Sequence, residues 1–219
     1  MMELVEAKAT PIHRVQGISA LYSAWHTYFG AIPSVEQVAI CFSQMVLETG
    51  FDFPACKNFN VGNIKVGSSW EGNYCMYPAG EYIGGKFRMF YPPDKQTWFR
   101  AYESSEEGMM GYLDLVANRP RYTEAWSQLI AGSLEGFSKG LHSGGYYTLS
   151  DAEYTRRLRI RYDILKPLVE KVDSGRVQTI ACFEQDPGLV AVTTSHLVDR
   201  LAEDRQKGLD LLFGDEDGD

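Results

Sequence analysis

The chain has 219 residues, is 44% hydrophobic and 23% charged, and carries a formal net charge of −8. That describes one folded domain of ordinary size plus an extension, or two small domains, able to bury a core without staples. Ten acids against three bases between residues 182 and 219 account for seven of the eight charges, so the rest is near neutral, shows no basic face, and is not expected to bind nucleic acid.

No run approaches the roughly 18 apolar residues of a membrane span, and the first residues lack the basic-then-apolar order of a secretory signal. A first helix is expected from about Gly17 to Phe29, with Ile18, Leu21, Tyr22, Trp25 and Tyr28 on one side. A stronger one follows from Val35 to Glu48. Ser34 and Gln37 form a capping box, Val35, Val38, Ala39, Phe42, Met45 and Val46 mark the buried face, and Gly50 ends it. Cys41, among those apolar residues, reads as a small core residue.

From 51 to 100, Gly, Asn, Pro and aromatics replace helical periodicity. Ala79–Ile83 and Lys86–Phe90 flank Gly84-Gly85 and predict a hairpin, with Trp98–Tyr102 as a third strand. Cys56 and Cys75 flank this stretch and could be bridged, or stay thiols in a reducing compartment. Helices then return: Ser104 with Glu107 opens one to about Asn118, and Tyr122–Ala131 and Leu134–His142 are short. Ser150 with Glu153 caps a longer one from Asp151 to about Glu170, which Pro167 is expected to kink or end. Residues 172–194 are poorly patterned. Residues 195–213 predict one amphipathic helix, able to pack on the domain, self-associate or dock to a partner, and the GDEDGD end is expected to be disordered.

Glu48 is the first residue to weigh for chemistry. It sits in the last turn of an apolar helix, beside Leu47, Phe51 and Phe53. The negative end of the helix dipole and desolvation both raise a carboxyl's pKa, and a carboxyl kept protonated near neutrality is what a glycosidase acid requires. Alternatively, the side chain simply points to water.

Glu48-Thr49-Gly50, followed by Asn58-Phe59-Asn60-Val61-Gly62-Asn63-Ile64-Lys65, resembles the peptidoglycan hydrolases of the lysozyme-like superfamily, and more narrowly the β-N-acetylglucosaminidases of glycoside hydrolase family 73. Glu81-Tyr82 before the Gly-Gly turn is similar to that family's Glu-Tyr pair. Phe99-Arg100-Ala101-Tyr102-Glu103-Ser104 and Gly145-Tyr146-Tyr147-Thr148, with Tyr154 beyond, resemble two further signatures in the same order. Asn63 interrupts the family's Gly-to-Ile step, and Tyr147 replaces a small residue. The resemblance implies an α+β, mainly α fold: a lysozyme-like helical domain over 1–171 with a small β-hairpin lobe at about 54–102. A C-terminal helical extension over 172–219 follows.

It also implies roles. Glu48 is the expected general acid. Glu81 is the expected second carboxylate, activating water or steadying positive charge, unless it is a solvated edge-strand acid; Glu71 and Asp94 are weaker candidates. Tyr146 would orient the N-acetyl group or stabilise charge, or else only pack. Asn60 would bond the sugar or the acid, or else cap its own loop. Lys65, Trp70, Tyr82, Trp98 and Tyr147 are expected to bind substrate, with Tyr74 a further stacking platform, whereas Trp25 and Trp126 read as core.

His13, His26, His142 and His196 show no ligand spacing, so neither metal nor cofactor is expected. A Cys56/His142 thiol protease lacks a nucleophile setting. The expected substrate is the peptidoglycan glycan strand, cut at a β-1,4 bond by an endo-N-acetylglucosaminidase. A muramidase, a lytic transglycosylase, or a non-catalytic wall-binding or assembly module on the same fold are the alternatives. Without a signal peptide, the expected setting is a phage lysis or virion enzyme, or one exported by a dedicated system.

Overall fold

A computed structural model describes residues 2–83 and 86–185, with side chains over 2–80 and 86–176. The expected Gly84-Gly85 turn, the helix over 195–213 and the acidic end lie outside the described residues. The chain forms two compact units, Met1–Val172 and one beginning at Asp173.

In the first unit, α1 (Arg14–Phe29) begins three residues before the apolar pattern does. Its cap is tertiary: the Asp52 carboxylate accepts from the Arg14 backbone N–H at 2.9 Å and pairs with the guanidinium at 2.7 Å. An acid at the first turn satisfies an orphan N–H and suits the helix dipole. The next helix, α2 (Val35–Thr49), has the complete Ser34/Gln37 capping box. Val38 to Val46 are buried without interruption, so α2 is a central rod sheathed on every side rather than a surface helix with one apolar stripe. Gly50 ends it at a φ of 85°, a conformation that L side chains rarely adopt.

The strand lobe has two antiparallel pairs. β1 (Tyr74–Met76) pairs with β4 (Trp98–Arg100), Cys75 opposite Phe99, while β2 (Ala79–Ile83) pairs with β3 (Lys86–Phe90), Glu81 opposite Arg88. The hairpin has the expected bounds, but the third strand finds its partner in β1, too short at three residues to show alternation. The N-terminal segment seals the lobe, where the Val5 N–H donates to the Tyr74 carbonyl and the Thr10 N–H to that of Cys56. Cys41, Cys56 and Cys75 are free thiols, so the considered Cys56–Cys75 bridge is absent. Burial pushes both lobe thiols up to about 11 and keeps them protonated, and the Thr10 hydroxyl donates to the Cys56 sulfur.

Four helices follow: α3 (Ser105–Asn118), α4 (Thr123–Ile130), α5 (Leu134–Ser143) and α6 (Asp151–Gln185), with a 3-10 turn over Pro120–Tyr122. The Ser104 box is offset, since Glu107 accepts from the N–H of Glu103 and not from that of Ser104. Pro167 does not end α6, which continues past it, contrary to that half of the expectation. Buried Leu165 and Val169 anchor the helix on both sides of it, and Lys166 pairs with Glu36 of α2 at 2.9 Å; packing outweighs one missing N–H. Trp25, Phe29 and Trp126 stack between α1 and α4 within the core.

Helix α3 lies hard against the loop after α2. A Cβ on Gly108 would stand 1.9 Å from the Phe59 carbonyl oxygen, so only glycine permits this approach. Gly108→Ala must push the helix or the loop aside. The expected loss is about 2–4 kcal/mol, read from the denaturant midpoint.

Candidate active site

The last turn of α2 brings Glu48 to the floor of a cleft of about 970 Å³ between the helices and the strand lobe. Glu48 is half-buried. Its Oε1 accepts from the Tyr154 hydroxyl at 2.9 Å and from Gln44 Nε2 at 3.2 Å, and Gln44 Nε2 also donates to the Tyr154 oxygen at 3.2 Å. Gln44 lies four residues before Glu48, one turn down the same face. Tyr154 comes from α6. Burial pushes the Glu48 carboxyl up to about 7, against the two donors, which favour the charged form.

Because both donors use Oε1, the proton of the neutral acid belongs on Oε2. Phe53 is buried against Phe42, and Phe51 lies under the Arg14 guanidinium. Three tyrosines, Tyr112, Tyr146 and Tyr154, are near enough for a charged Glu48 to raise their own hydroxyls further, after burial has raised them most.

The loop from Phe51 to Lys65 forms the adjoining wall. Asp52, Phe53, Asn58, Phe59 and Asn63 all have φ near +50°, a conformation that costs non-glycine residues energy and that Asn tolerates best. Side chains hold it there. Asn60 is buried, accepts from the Ile64 N–H, and donates to the carbonyls of Ile64 and Arg100. Every one of these bonds is internal, so Asn60 caps its own loop and does not face a sugar. Asn63, the insertion in the motif, donates to the Glu48 main-chain carbonyl at 3.1 Å and lines the cleft.

Tyr146 lines the cleft near Glu48, and its hydroxyl donates to the Gly62 carbonyl at 2.9 Å. Lys65 lines it as well. The other expected contacts lie elsewhere. Trp70 packs edge-on against Tyr102 and donates to the Asn73 carbonyl; Trp98 stacks on Tyr74 beneath Lys95. Tyr147 lies behind the acid, its ring 3.5 Å from that of Tyr154 and its hydroxyl bonded to the Ser138 carbonyl. None of these three is among the described residues lining the cleft. The aromatic surface there is Tyr77 stacked on Phe99, with Tyr122 and Tyr146 opposite.

Glu81 and Tyr82 have their backbones in β2, directly after the cleft-lining Ala79 and Gly80; their side chains are outside the described residues. Asp94 caps the turn before β4 with its own carboxylate. Gln44, Asn63, Tyr77 and Tyr122 were not anticipated. Gln44 left a signal as a polar residue inside an apolar helical run, and Asn63 left one as the residue that interrupts the motif. Among the described residues no group of potential metal ligands gathers, and no helix is long and apolar enough to cross a membrane.

A family model, Glucosaminidase, described as mannosyl-glycoprotein endo-beta-N-acetylglucosaminidase, matches residues 34–165. The chain is 28% identical over 185 residues to peptidoglycan hydrolase FlgJ of Vibrio cholerae, covering 77% of this chain and 53% of that one. It therefore spans about half the length of that relative. A peptidoglycan hydrolase mutant from Sphingomonas sp. A1 superposes with a TM-score of 0.51 at 26% identity, over 68% of this chain and 92% of that one. The glycoside hydrolase domain of Salmonella typhimurium FlgJ shares the fold with a TM-score of 0.51 at 22% identity, over 78% and 99%. The fold is the mainly helical, lysozyme-like one with a small strand lobe.

Two outcomes follow from the acid's surroundings. The Tyr154 hydroxyl favours the charged carboxylate, so Tyr154→Phe raises the Glu48 pKa. The Glu48 midpoint, read by NMR titration of the carboxyl, should move up by about one unit from near 7; an unmoved midpoint would detach Tyr154 from Glu48. A folded pKa above the model value of 4.5 also means that stability falls as pH rises from about 4.5 through about 7. Glu48→Gln should therefore stabilise the fold by on the order of 1–3 kcal/mol at pH 8 and by little at pH 4, seen as a pH-dependent difference in Tm.

Proposed function

The chain belongs to the glucosaminidase family of glycoside hydrolases, and from that premise we propose that it cleaves β-1,4 bonds of the peptidoglycan glycan as an endo-N-acetylglucosaminidase, with Glu48 as general acid. The observation that carries the reading is the half-buried Glu48 carboxyl with its pKa near 7, its Oε1 held by Tyr154 and Gln44, on the floor of a cleft wide enough for sugar rings. Oε2 delivers the proton to the glycosidic oxygen as the bond breaks through an oxocarbenium-like state. Tyr77 on Phe99 supplies an apolar face for sugar C–H groups, and Tyr146 steadies the reacting sugar.

Glu81 is proposed as the second carboxylate. Its strand follows the cleft wall at Gly80, and it would activate water or offset charge at the anomeric carbon. The glycan lies in the cell wall, so the reading requires delivery of the chain there. The relatives are named peptidoglycan hydrolases, which supports the substrate class.

Zymography on purified wall, with mass spectrometry of the products, tests this. The wild type should clear the gel and leave reducing N-acetylglucosamine ends, and Glu48→Gln should lose about 10²–10⁴ in rate. Anhydro-muramic ends would indicate a transglycosylase. Equal clearing by both proteins would remove Glu48 from the chemistry, and clearing by neither would leave a wall-binding module.

A further inference from the structure

The cleft carries a charge pattern that acid catalysis does not use. Its described charged side chains are Glu48, Lys65, Arg100, Arg119 and Arg121, four cations against one carboxylate, in a chain whose net charge is −8. A sugar backbone of N-acetylglucosamine units is neutral. A cation beside Glu48 would also hold it ionised and weaken it as an acid. Glu48 accordingly bonds Tyr154 and Gln44, not a cation.

We propose that Arg100, Arg119 and Arg121 form a carboxylate-binding subsite, which engages the peptide stems carried by the glycan. The inference rests on the peptidoglycan reading above. Arg100 is the independent sign of a ligand. It is 3% exposed, its Nε is buried with no hydrogen-bond partner, and its charge is met by the nearby Tyr102 hydroxyl and felt by Asp114, with no ion pair to it among the described residues. A buried guanidinium without an anion is costly, and the cost falls when a carboxylate arrives.

All three line one cleft, and each guanidinium is held by a neighbour. That of Arg100 lies 4.5 Å over the Trp70 ring and that of Arg121 4.6 Å over Tyr122. Arg119 donates to the hydroxyl of Ser69, another cleft residue, at 2.9 Å. Rings against their faces leave the edges of planar guanidinia for bidentate bonds to carboxylate. Asp114 is close enough to Arg100 and Arg119 to feel their charge, but it is hydrogen-bonded to Tyr28 and Asn118. Tyr146 and Tyr122, 5.8 Å apart between ring centroids, line the same cleft as Glu48, Arg119 and Arg121. Peptide stems hang from every second sugar and bear carboxylates, so a strand with its scissile bond at Glu48 carries them into the cleft that these arginines line.

The test is calorimetric binding to the Glu48→Gln protein. Four probes are a tetrasaccharide with peptide stems, the same with its carboxyls amidated, the bare tetrasaccharide, and the bare tetrasaccharide phosphorylated on a sugar hydroxyl. Amidation or loss of the stems should weaken binding about tenfold. Arg119→Gln and Arg121→Gln should lose that factor for the stem-bearing probe and nothing for the bare one. Lys139→Gln, an exposed charge on α5 outside the cleft lining, should change neither. Equal affinity for the acidic and amidated probes overturns the subsite, as does an equal loss for all probes in the arginine variants. Binding of the phosphorylated probe as tight as that of the stem-bearing one shows a general anion patch and overturns carboxylate recognition. Cleavage of the bare glycan by the wild-type chain reports on the hydrolase reading alone: its failure alongside intact stem-dependent binding sinks that reading and leaves the subsite standing.

Discussion

A carboxyl that keeps its proton at neutral pH must be withdrawn from water and kept apart from cations, and the grip on Glu48 Oε1 by Tyr154 and Gln44 does this without ionising the group outright. Burial raises the pKa and the two donors pull it part of the way back, to about 7. Neither influence alone is suited to proton transfer at neutrality: burial unopposed gives an acid that holds its proton too tightly, and donors unopposed give a carboxylate. The balance depends on α6 lying where Tyr154 reaches the end of α2. Tyr147, stacked flat on Tyr154 and bonded to Ser138, sets that ring from behind.

The second constraint is the wall beside the acid. Five non-glycine residues between Asp52 and Asn63 sit in the left-handed region, and strain of this kind persists only where the surroundings over-determine it. Asn60 supplies three internal hydrogen bonds, Asp52 is fastened to Arg14, and the helix at Gly108 presses on the Phe59 carbonyl. The same Asp52 carboxylate caps α1. Helix start, loop shape and acid position are therefore mechanically linked, and an error in one is felt by the others.

Charge is distributed against the net balance of the chain. The acids concentrate in the last 38 residues, while the described cleft gathers four cations around a single carboxylate. Tyr146 and Tyr122 line the same cleft as Glu48 and the arginines. Glu48 bonds a tyrosine hydroxyl and an amide and not a cation, and the positive charge lining the same cleft is more than a neutral sugar backbone by itself would require.

Local patterning determined the helices, their caps at Ser34 and Ser104, the hairpin bounds and the position of Glu48, because these depend on near neighbours: 3.6-residue and two-residue periods, and turn chemistry within four residues. The family signatures also carried the order of the site segments. What depended on distant partners was out of reach. β1 pairs with a strand more than twenty residues away, α6 passes Pro167 because of core contacts, and Asn60 turns inward because Ile64 and Arg100 meet it there. Trp70, Trp98 and Tyr147 looked like sugar platforms by type and lie off the cleft by packing. Arg119 and Arg121 are two residues apart, but only the tertiary structure puts Arg100 in the same cleft with them, since electrostatics acts through space and not along sequence.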